Sequence, residues 1–370
     1  MYRICLLLGL MAMATASGQV GGERSEEVTV MFWNLENFFD FIDGGAGESD
    51  AEFSSTGPRR WTKKRFYRKC QAVAKTILWA GSLDGGKDGP LALGKADGSG
   101  AKAGRTLGVV PGDGKHNNDG PVLPDVVGMA EVENLFVLRQ LVSRTALRKM
   151  DYKIVHFDSP DPRGIDCALL YRASRLTLVS AGPCSVSAPG LQTRDILLAQ
   201  FLTQEGDSLA VLVNHHPSKY GGGETDWRRE VAVARLRALG DSLSAAGWLR
   251  AVAVGDFNDT PENPLFERLS PAFSLCSLVT TENRRQIAAD IGSIRFNGEW
   301  QLIDLCFVSP TLARSASFSV LEPPFLTERD AAHSGDRPLR TYSGPRYRGG
   351  VSDHRPILVR VLATSQRPDR

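Results

Sequence analysis

The stretch ILLAQFLTQEGDSLAVLVNHHPS, residues 196–218, indicates the fold class more clearly than any other part of the chain. It holds two apolar runs of strand length, residues 196–202 and 209–214, separated by a short polar turn. Three more runs of this kind precede it, at residues 152–157, 167–171 and 176–180. Because only antiparallel neighbours can be joined by short turns, successive strands without helices between them predict antiparallel pairing.

Outside this stretch, the sequence predicts further strands and a few helices. Phe66, Cys70, Val73 and Ile77 recur at helical spacing, so residues 62–79 are predicted to form an amphipathic helix. Two more helices are predicted at residues 134–147 and 224–243, and further strands at 28–33, 126–130, 251–255, 302–308 and 357–362. Few helices among many strands predict an α+β fold, a four-layer α/β/β/α sandwich of two mainly antiparallel sheets flanked by helices.

The ends of the chain and one internal segment differ from this pattern. Arg3 precedes an apolar run and then small residues, which is typical of a secretory signal peptide, here residues 1–18; a buried N-terminal helix is the alternative. Residues 26–364 are predicted to form one domain. Residues 81–120 are rich in Gly, Lys and Asp and lack apolar periodicity, so they are predicted to be a disordered insertion.

Composition limits the classes of function. The formal net charge of the 370 residues is +2, which argues against a strongly basic nucleic-acid coat protein but not against an enzyme that binds phosphate locally. After residue 18 no run is long and apolar enough to span a membrane. The five cysteines beyond residue 18 are odd in number and have no metal-type spacing, and we predict no disulfide. Nothing calls for a stable protein partner, and a monomer is expected.

Five polar clusters follow apolar runs and are therefore predicted to lie at strand ends. They are WNLEN at 33–37, EVEN at 131–134, NHHPS at 214–218, GDFND at 255–259 and SDH at 352–354. Carboxylate oxygens bind hard ions such as Mg²⁺, and imidazoles transfer protons or donate to phosphate oxygens. Each cluster taken alone has a structural explanation, as a turn or a buried histidine pair. Their joint occurrence favours metal-assisted phosphate chemistry.

The order of these clusters resembles the endonuclease/exonuclease/phosphatase superfamily, which includes pancreatic deoxyribonuclease. The similarity extends from residue 28 to residue 361 apart from the Gly-rich segment. It is strongest to a secreted bacterial branch described as extracellular nucleases, through WNLENFFD at 33–40, SPDPRGID at 159–166 and GDFNDTP at 255–261. The chain departs from the family after Asp304, where Leu305 and Cys306 follow, and at SIRF, residues 293–296.

The resemblance implies a role for each matching residue. Glu131 would be the principal metal ligand, with Asn34 and Asp353 close to the ion and Glu36 where some relatives have a second acidic ligand. The expected ion is Mg²⁺, with Ca²⁺ or Mn²⁺ as alternatives. The implied catalytic residues are His215, Asp256, Asn258, Asp304 and His354: Asp256 would activate water, Asn258 would hold the phosphate, and Asp304 would orient His354.

Five residues are expected to contact or support the substrate: Asn214, Ser218, Asp166, Arg340 and Tyr342, with Asp166 supporting His215. Arg340-Thr341-Tyr342 and the basic, aromatic stretch 346–350 precede the SDH cluster, a composition suited to a phosphodiester backbone. The leading hypothesis is a secreted nuclease that cleaves DNA, or RNA as well. The alternatives are an enzyme acting on smaller phosphate esters, such as a phosphatase or a lipid or inositol phosphodiesterase, and an inactive binding module.

Overall fold

The computed structural model describes residues 26–45, 47–82, 123–219, 221–276 and 292–363, and the backbone of residues 106–107. The predicted signal peptide at residues 1–18 and most of the predicted insertion at 81–120 lie outside these residues. No helix within the described ranges is both long and apolar enough to cross a bilayer.

Three α-helices and many short strands make up the described chain. The helices are α1 (Lys63–Ser82), α2 (Leu135–Ser143) and α3 (Asp226–Ala245). The strands are β1 (Glu26–Phe38), β2 (Thr106–Leu107), β3 (Val126–Val132), β4 (Tyr152–His156), β5 (Asp166–Arg172), β6 (Leu176–Cys184), β7 (Ile196–Thr203), β8 (Ser208–His215), β9 (Ala251–Asp256), β10 (Ser274–Cys276), β11 (Ile294–Phe296), β12 (Glu299–Gln301), β13 (Asp304–Val308), β14 (Ser317–Leu321), β15 (Thr327–Arg329), β16 (Asp336–Pro338), β17 (Tyr342–Ser343), β18 (Arg346–Tyr347) and β19 (Ile357–Ala363).

Two large sheets dominate the fold. The first has seven strands in the order β2-β14-β19-β1-β3-β5-β4, and the second has six in the order β10-β13-β9-β8-β7-β6. Each sheet contains one parallel pair, β1 with β3 and β8 with β9, and its other pairs are antiparallel. The prediction of two mainly antiparallel sheets is confirmed. The three small two-stranded sheets were not predicted, because strands of two or three residues leave no readable alternation.

The alternation of side chains along the strands separates the interior into layers. In β1, Val30 and Phe32 lie in the core between the sheets, whereas Met31 and Trp33 pack in the core that also holds Phe66 and Ile77 of α1. In the second sheet the residues that face away from the first pack with α3. The layer order is therefore helix, sheet, sheet, helix, as the sequence predicts.

Several boundaries differ from the predicted ones; β1 and β6, for example, extend to Phe38 and Cys184. The helix predicted at residues 134–147 ends at Ser143, where Thr145 caps a separate short 3₁₀ helix, Ala146–Lys149. The insertion was predicted to begin at residue 81, but α1 continues to Ser82. Two residues of the predicted insertion, Thr106 and Leu107, form β2, which pairs with β14. A β-pair contributed from a distant strand leaves no periodic signal in the sequence.

The strand register places the polar clusters at one edge of the molecule. His215 pairs with Asp256, and Asp256 pairs with Asp304 across the neighbouring antiparallel strand. In the first sheet, Asn34 pairs with Ala130, one residue before Glu131. Since the two sheets face each other, these strand ends form the two walls of one cleft.

Candidate active site

Residues at this edge have backbone conformations that are rare for side-chain-bearing residues, and in β1 and β3 these occur where the strand pairing shifts register. Glu36, Asn37, Glu131 and Asn258 have positive φ values of 47°, 57°, 60° and 51°. Such left-handed conformations cost free energy for residues other than glycine, and they concentrate at functional sites. Their clustering around Glu131 and Asp256 therefore marks this edge as a candidate site.

Glu131 has one carboxylate oxygen held and the other open. Its Oε2 accepts a hydrogen bond from the Asn37 amide at 2.8 Å. Its Oε1 is 3.5 Å from Asn34 Nδ2, and 3.9 Å from both His215 Nε2 and Arg163 Nη1. The backbone therefore fixes the carboxylate while Oε1 faces the cleft with only long contacts, which is suitable for a ligand to a hard cation.

Asp256 lies at the centre of the site. Its Oδ2 accepts a hydrogen bond from Asn34 Nδ2 at 3.0 Å and lies 3.7 Å from His215 Nε2 and 3.8 Å from His354 Nε2. Burial raises the pKa of Asp256 to about 7, although the charge of His354 opposes this. A carboxyl group with such a pKa can accept and release a proton near neutral pH.

His354 is held by Asp304 as the resemblance implies. Its Nδ1 lies 2.7 Å from Asp304 Oδ2, and both side chains are buried. Burial alone would lower the pKa of His354, but the carboxylates of Asp304 and Asp256 outweigh burial and raise the pKa well above its usual value. The ring is therefore an imidazolium whose Nε2 is directed towards Asp256.

His215 has the opposite electrostatic character. Burial, with the nearby guanidinium groups of Arg194 and Arg163, lowers the pKa of His215 well below its ordinary value, so the ring is neutral. The expected support from Asp166 is not found: His215 Nδ1 has no hydrogen-bond partner among the described residues. Asp166 instead lies 3.0 Å from His156 Nε2 and accepts a hydrogen bond of 2.6 Å from Ser159 Oγ. Both oxygens of Asp166 are engaged away from His215.

Asn258 is positioned by a chain of contacts that the sequence did not reveal. Its Nδ2 donates to the carbonyl of His216 at 2.9 Å, and the same carbonyl accepts a hydrogen bond of 2.8 Å from Arg194 Nη2. Arg194 is buried and pairs with Asp161 at 2.8 Å. Arg163 and Arg194 are isolated residues outside the apolar runs, so no periodic pattern in the sequence predicts their role. Only the SPDPRGID stretch, which contains Asp161 and Arg163, pointed to this region.

A second group of charges borders the site. Glu36 Oε1 accepts a hydrogen bond from Arg340 Nε at 2.8 Å and lies 2.6 Å from Arg340 Nη2, and Glu36 Oε2 accepts a hydrogen bond from the Thr341 amide at 3.2 Å. Arg340 Nη2 is also 3.1 Å from Asp353 Oδ2. Below them, the buried Lys69 donates to the Glu36 carbonyl at 2.8 Å and to Thr341 Oγ1 at 2.9 Å.

Two residues expected to contact substrate do not face the cleft. Asn214 is fully buried, and its amide donates to the Leu212 and Val254 carbonyls, because strand alternation directs residue 214 to the face opposite His215. Tyr342 is 6% exposed and donates its hydroxyl hydrogen bond to the Arg59 carbonyl. Ser218 is exposed beyond the end of β8, where its carbonyl accepts a hydrogen bond from Arg229.

The donors that converge here fit a single hard divalent cation better than a soft one. Glu131 supplies a carboxylate oxygen that faces the cleft, and no cysteine is among the residues named here. The Asn34 side chain presents Nδ2 to Glu131 and Asp256, while its Oδ1 accepts a hydrogen bond from the Glu36 backbone amide at 2.9 Å. Two described groups of side chains have metal-like spacing: Asp256 with Asp304 and His354, and His156 with Asp158 and Asp166. In both groups a histidine–carboxylate contact of 3.0 Å or less already joins two members. Glu131 is therefore the best candidate for the principal ligand.

Comparison with known proteins gives a family match. A family model described as "Endonuclease/Exonuclease/phosphatase family" matches residues 115–363, more than half of the chain. No curated protein matches the sequence.

Solved structures with this fold are distant in sequence. The human nocturnin catalytic domain with bound sulfate is 15% identical with a TM-score of 0.52, over 93% of this chain and 96% of that one. A truncated Caenorhabditis elegans TDP2 is 14% identical with a TM-score of 0.52, over 91% and 98% of the two chains. A mannosyl-6-phosphatase of Bacteroides thetaiotaomicron is 16% identical with a TM-score of 0.50, over 90% and 99%. At these identities the similarity establishes the fold and not the substrate.

Proposed function

Because the chain belongs to the endonuclease/exonuclease/phosphatase family, whose members are generally metal-dependent hydrolases of phosphate esters, we propose that it is a nuclease. It hydrolyses phosphodiester bonds in DNA, or in RNA as well, by attack of water on phosphorus with Mg²⁺ bound at Glu131. The observation that carries this proposal is the position of Asp256 Oδ2, within 4 Å of Asn34, of the neutral His215 and of the charged His354.

Each side chain around this point has a separate task. Asp256, with its pKa near 7, accepts the proton of the attacking water, and its second oxygen is fixed by the Asn258 amide at 2.9 Å. The imidazolium of His354 donates to a phosphate oxygen and offsets its growing negative charge. The neutral His215 lies on the other side of Asp256 and can exchange a proton there. The cation, when bound, polarises the phosphoryl oxygen.

The surface beside the site favours a polyanionic substrate. Arg60, Arg65, Arg68 and Arg346, which we call the arginine surface, form no ion pair with any carboxylate in the described ranges. Arg65 lies 4.3 Å from the ring centroid of Tyr347 and donates to the Arg60 carbonyl, and the guanidinium of Arg68 lies against Gly349. Gly349 is four residues before Asp353. Phosphates on either side of the scissile bond would lie along these side chains.

The test compares a polymeric with a small substrate. The triple variant Arg60→Gln, Arg68→Gln, Arg346→Gln is expected to nick supercoiled plasmid about tenfold more slowly at physiological salt, because phosphate contacts are lost. Its turnover of p-nitrophenyl phosphate should be unchanged. The matched control replaces the exposed Arg139, Arg144 and Arg148, on and after α2, by Gln and should leave both rates unchanged.

The outcomes separate the alternatives. Monoester turnover without nicking by the wild type would replace the nuclease proposal by a phosphatase acting on small esters. Absence of both activities in Mg²⁺, Mn²⁺ and Ca²⁺ would favour an inactive binding module. If both triple variants nick plasmid as fast as the wild type, the arginine surface does not bind the substrate.

We also propose that residues 1–18 direct export, on the strength of the N-terminal sequence pattern. Expressed from its full gene in a bacterium, the protein should be recovered from the periplasm or medium with its N-terminus close to residue 19. Recovery from the cytoplasm with residues 1–18 intact would contradict export.

A further inference from the structure

We propose that Arg340 takes the place of a second divalent cation, so that the site holds one metal ion at Glu131 and Glu36 is not a metal ligand. This inference rests on the proposed function and goes beyond it, because the resemblance implied Glu36 as a second acidic ligand. It is drawn from how the oxygens of Glu36 and Asp353 are used in this chain.

Both oxygens of Glu36 are already engaged. Arg340 donates a hydrogen bond from Nε to Oε1 and forms an ion pair with the same oxygen through Nη2, and the Thr341 amide donates to Oε2. The side chain of Glu36 is only 10% exposed, so little solvent-facing surface remains for another ligand. A metal ion at Glu36 would have to displace a charge-assisted contact that a neighbouring backbone amide reinforces.

Arg340 also occupies the space between the two carboxylates that could share an ion. Its Nη2 lies 2.6 Å from Glu36 Oε1 and 3.1 Å from Asp353 Oδ2. A divalent ion bridging the same oxygens would lie within a few ångströms of the guanidinium, where the repulsion between like charges is strong. The guanidinium is permanently charged, so the protein cannot relieve this repulsion by losing a proton.

Buried Lys69 fixes this arrangement from below. Its ammonium donates to the carbonyl of Glu36, the residue that pairs with Arg340, and to Oγ1 of Thr341, the residue that follows Arg340. Two cations, Arg340 and Lys69, therefore offset the charges of Glu36 and Asp353. Glu131 has no comparable partner: its nearest cation, Arg163, lies 3.9 Å away and is 40% exposed. The negative charge available to a metal ion is concentrated at Glu131.

The experiment measures how many Mn²⁺ ions each chain binds. The readout is the electron paramagnetic resonance signal of the Mn²⁺ that remains unbound. The wild type is expected to bind one Mn²⁺ per chain. Arg340→Gln, which removes the charge but keeps a polar side chain, should bind two, and Arg340→Lys should bind one. Arg340→Gln combined with Glu36→Gln should return to one. Arg348→Gln is the matched control, since Arg348 pairs with Glu328 instead of a site residue.

Glu36→Gln in the otherwise wild-type chain gives an independent measurement that does not require the Arg340 variants to fold. It should bind one Mn²⁺ with its Kd changed less than threefold, whereas Glu131→Gln should weaken binding at least a hundredfold. Two ions in the wild type, a tenfold weaker Kd in Glu36→Gln, or one ion in a folded Arg340→Gln would overturn the inference and leave the nuclease proposal intact. A wild type that binds no Mn²⁺ would remove the metal premise and the inference with it.

Discussion

At the scale of single residues, the two histidines show how environment divides one side-chain type into two roles. His354 is paired with Asp304 at 2.7 Å and held positive, whereas His215 is buried beside Arg194 and held neutral. Since both Nε2 atoms lie within 4 Å of Asp256 Oδ2, the site combines a cation, a neutral base and a carboxyl group that titrates near neutrality. That combination is what proton transfer around a phosphate needs.

Replacing the orienting carboxylate tests the role of Asp304. Asp304→Asn should lower kcat about a hundredfold or more, because His354 loses the charge that keeps it protonated. KM should change less than threefold, since Asp304 is buried behind the ring. The double variant Asp304→Asn, His354→Ala should be no slower than His354→Ala alone, because the two residues act as one unit. Additive losses in plasmid-nicking assays would contradict this.

His216 gives a prediction about stability. Burial, and then Arg194 and Arg229, lower the pKa of His216 to about 3, and its ring packs against Phe257 with 4.6 Å between the ring centroids. Below the unfolded-state pKa of about 6.5, the unfolded chain binds a proton at His216 that the folded chain does not bind until the pH approaches 3. The free energy of unfolding is therefore fully present above pH 6.5 and decreases as the pH falls towards 3. Between pH 7 and pH 5, the free energy of unfolding of the wild type should fall by roughly 2 kcal/mol more than that of His216→Leu. Urea unfolding at both pH values checks it, and an unchanged difference would contradict it.

The sequence predicts the site residues that end strands and misses those whose orientation depends on neighbours. Asp256 and His354 adjoin apolar runs, so the sequence predicts their positions at strand ends, and they meet because the two sheets pack face to face. Asn214 was assigned to substrate although strand alternation places it opposite His215, and Tyr342 was assigned from composition alone. Arg194 acts through a backbone carbonyl, a contact that has no signature in the sequence.

At the scale of elements, the parallel pair β8 and β9 sets the distance between His215 and Asp256. Gly255 faces Asn214 across this pair, and a Cβ on Gly255 would lie 2.3 Å from the Asn214 carbonyl oxygen. Backbone atoms of a central strand cannot yield as a flexible side chain could. The absence of a side chain at residue 255 therefore permits the approach of the two strands that carry the site.

Gly255→Ala should accordingly lower the free energy of unfolding by about 3 kcal/mol or more, because β9 must move away from β8. Activity should fall even at temperatures where the variant remains folded. Gly182→Ala in β6 is the matched control, because nothing lies within 4 Å of the added Cβ. Urea unfolding and plasmid nicking measure both effects, and equal stability of the two variants would refute the packing argument.

At the scale of the whole molecule, the cleft is the open end of the core between the sheets. Phe32, Val213 and Val254 lie in that core, and Asn34, His215 and Asp256 continue the same faces of β1, β8 and β9 at its edge. Two-residue periodicity therefore explains both the apolar interior and the position of the polar cluster. The sequence predicted this arrangement because the strands of the two sheets are long and regular. It did not predict β2, because β2 has only two residues and comes from a distant segment of the chain.

A consequence of this architecture is that metal binding and folding should be coupled. The residues expected around the ion, Glu131, Asn34 and Asp353, are distant in the sequence and meet only in the folded chain, so the ion binds the native state alone. At a hundredfold excess of Mg²⁺ over Kd, such binding adds about 2.7 kcal/mol. EDTA should therefore lower the melting temperature by several degrees. Glu131→Gln, which lacks the principal ligand, should melt at one temperature with or without EDTA; a wild-type melting temperature that EDTA does not change would mean that no ion binds at Glu131 in the folded protein.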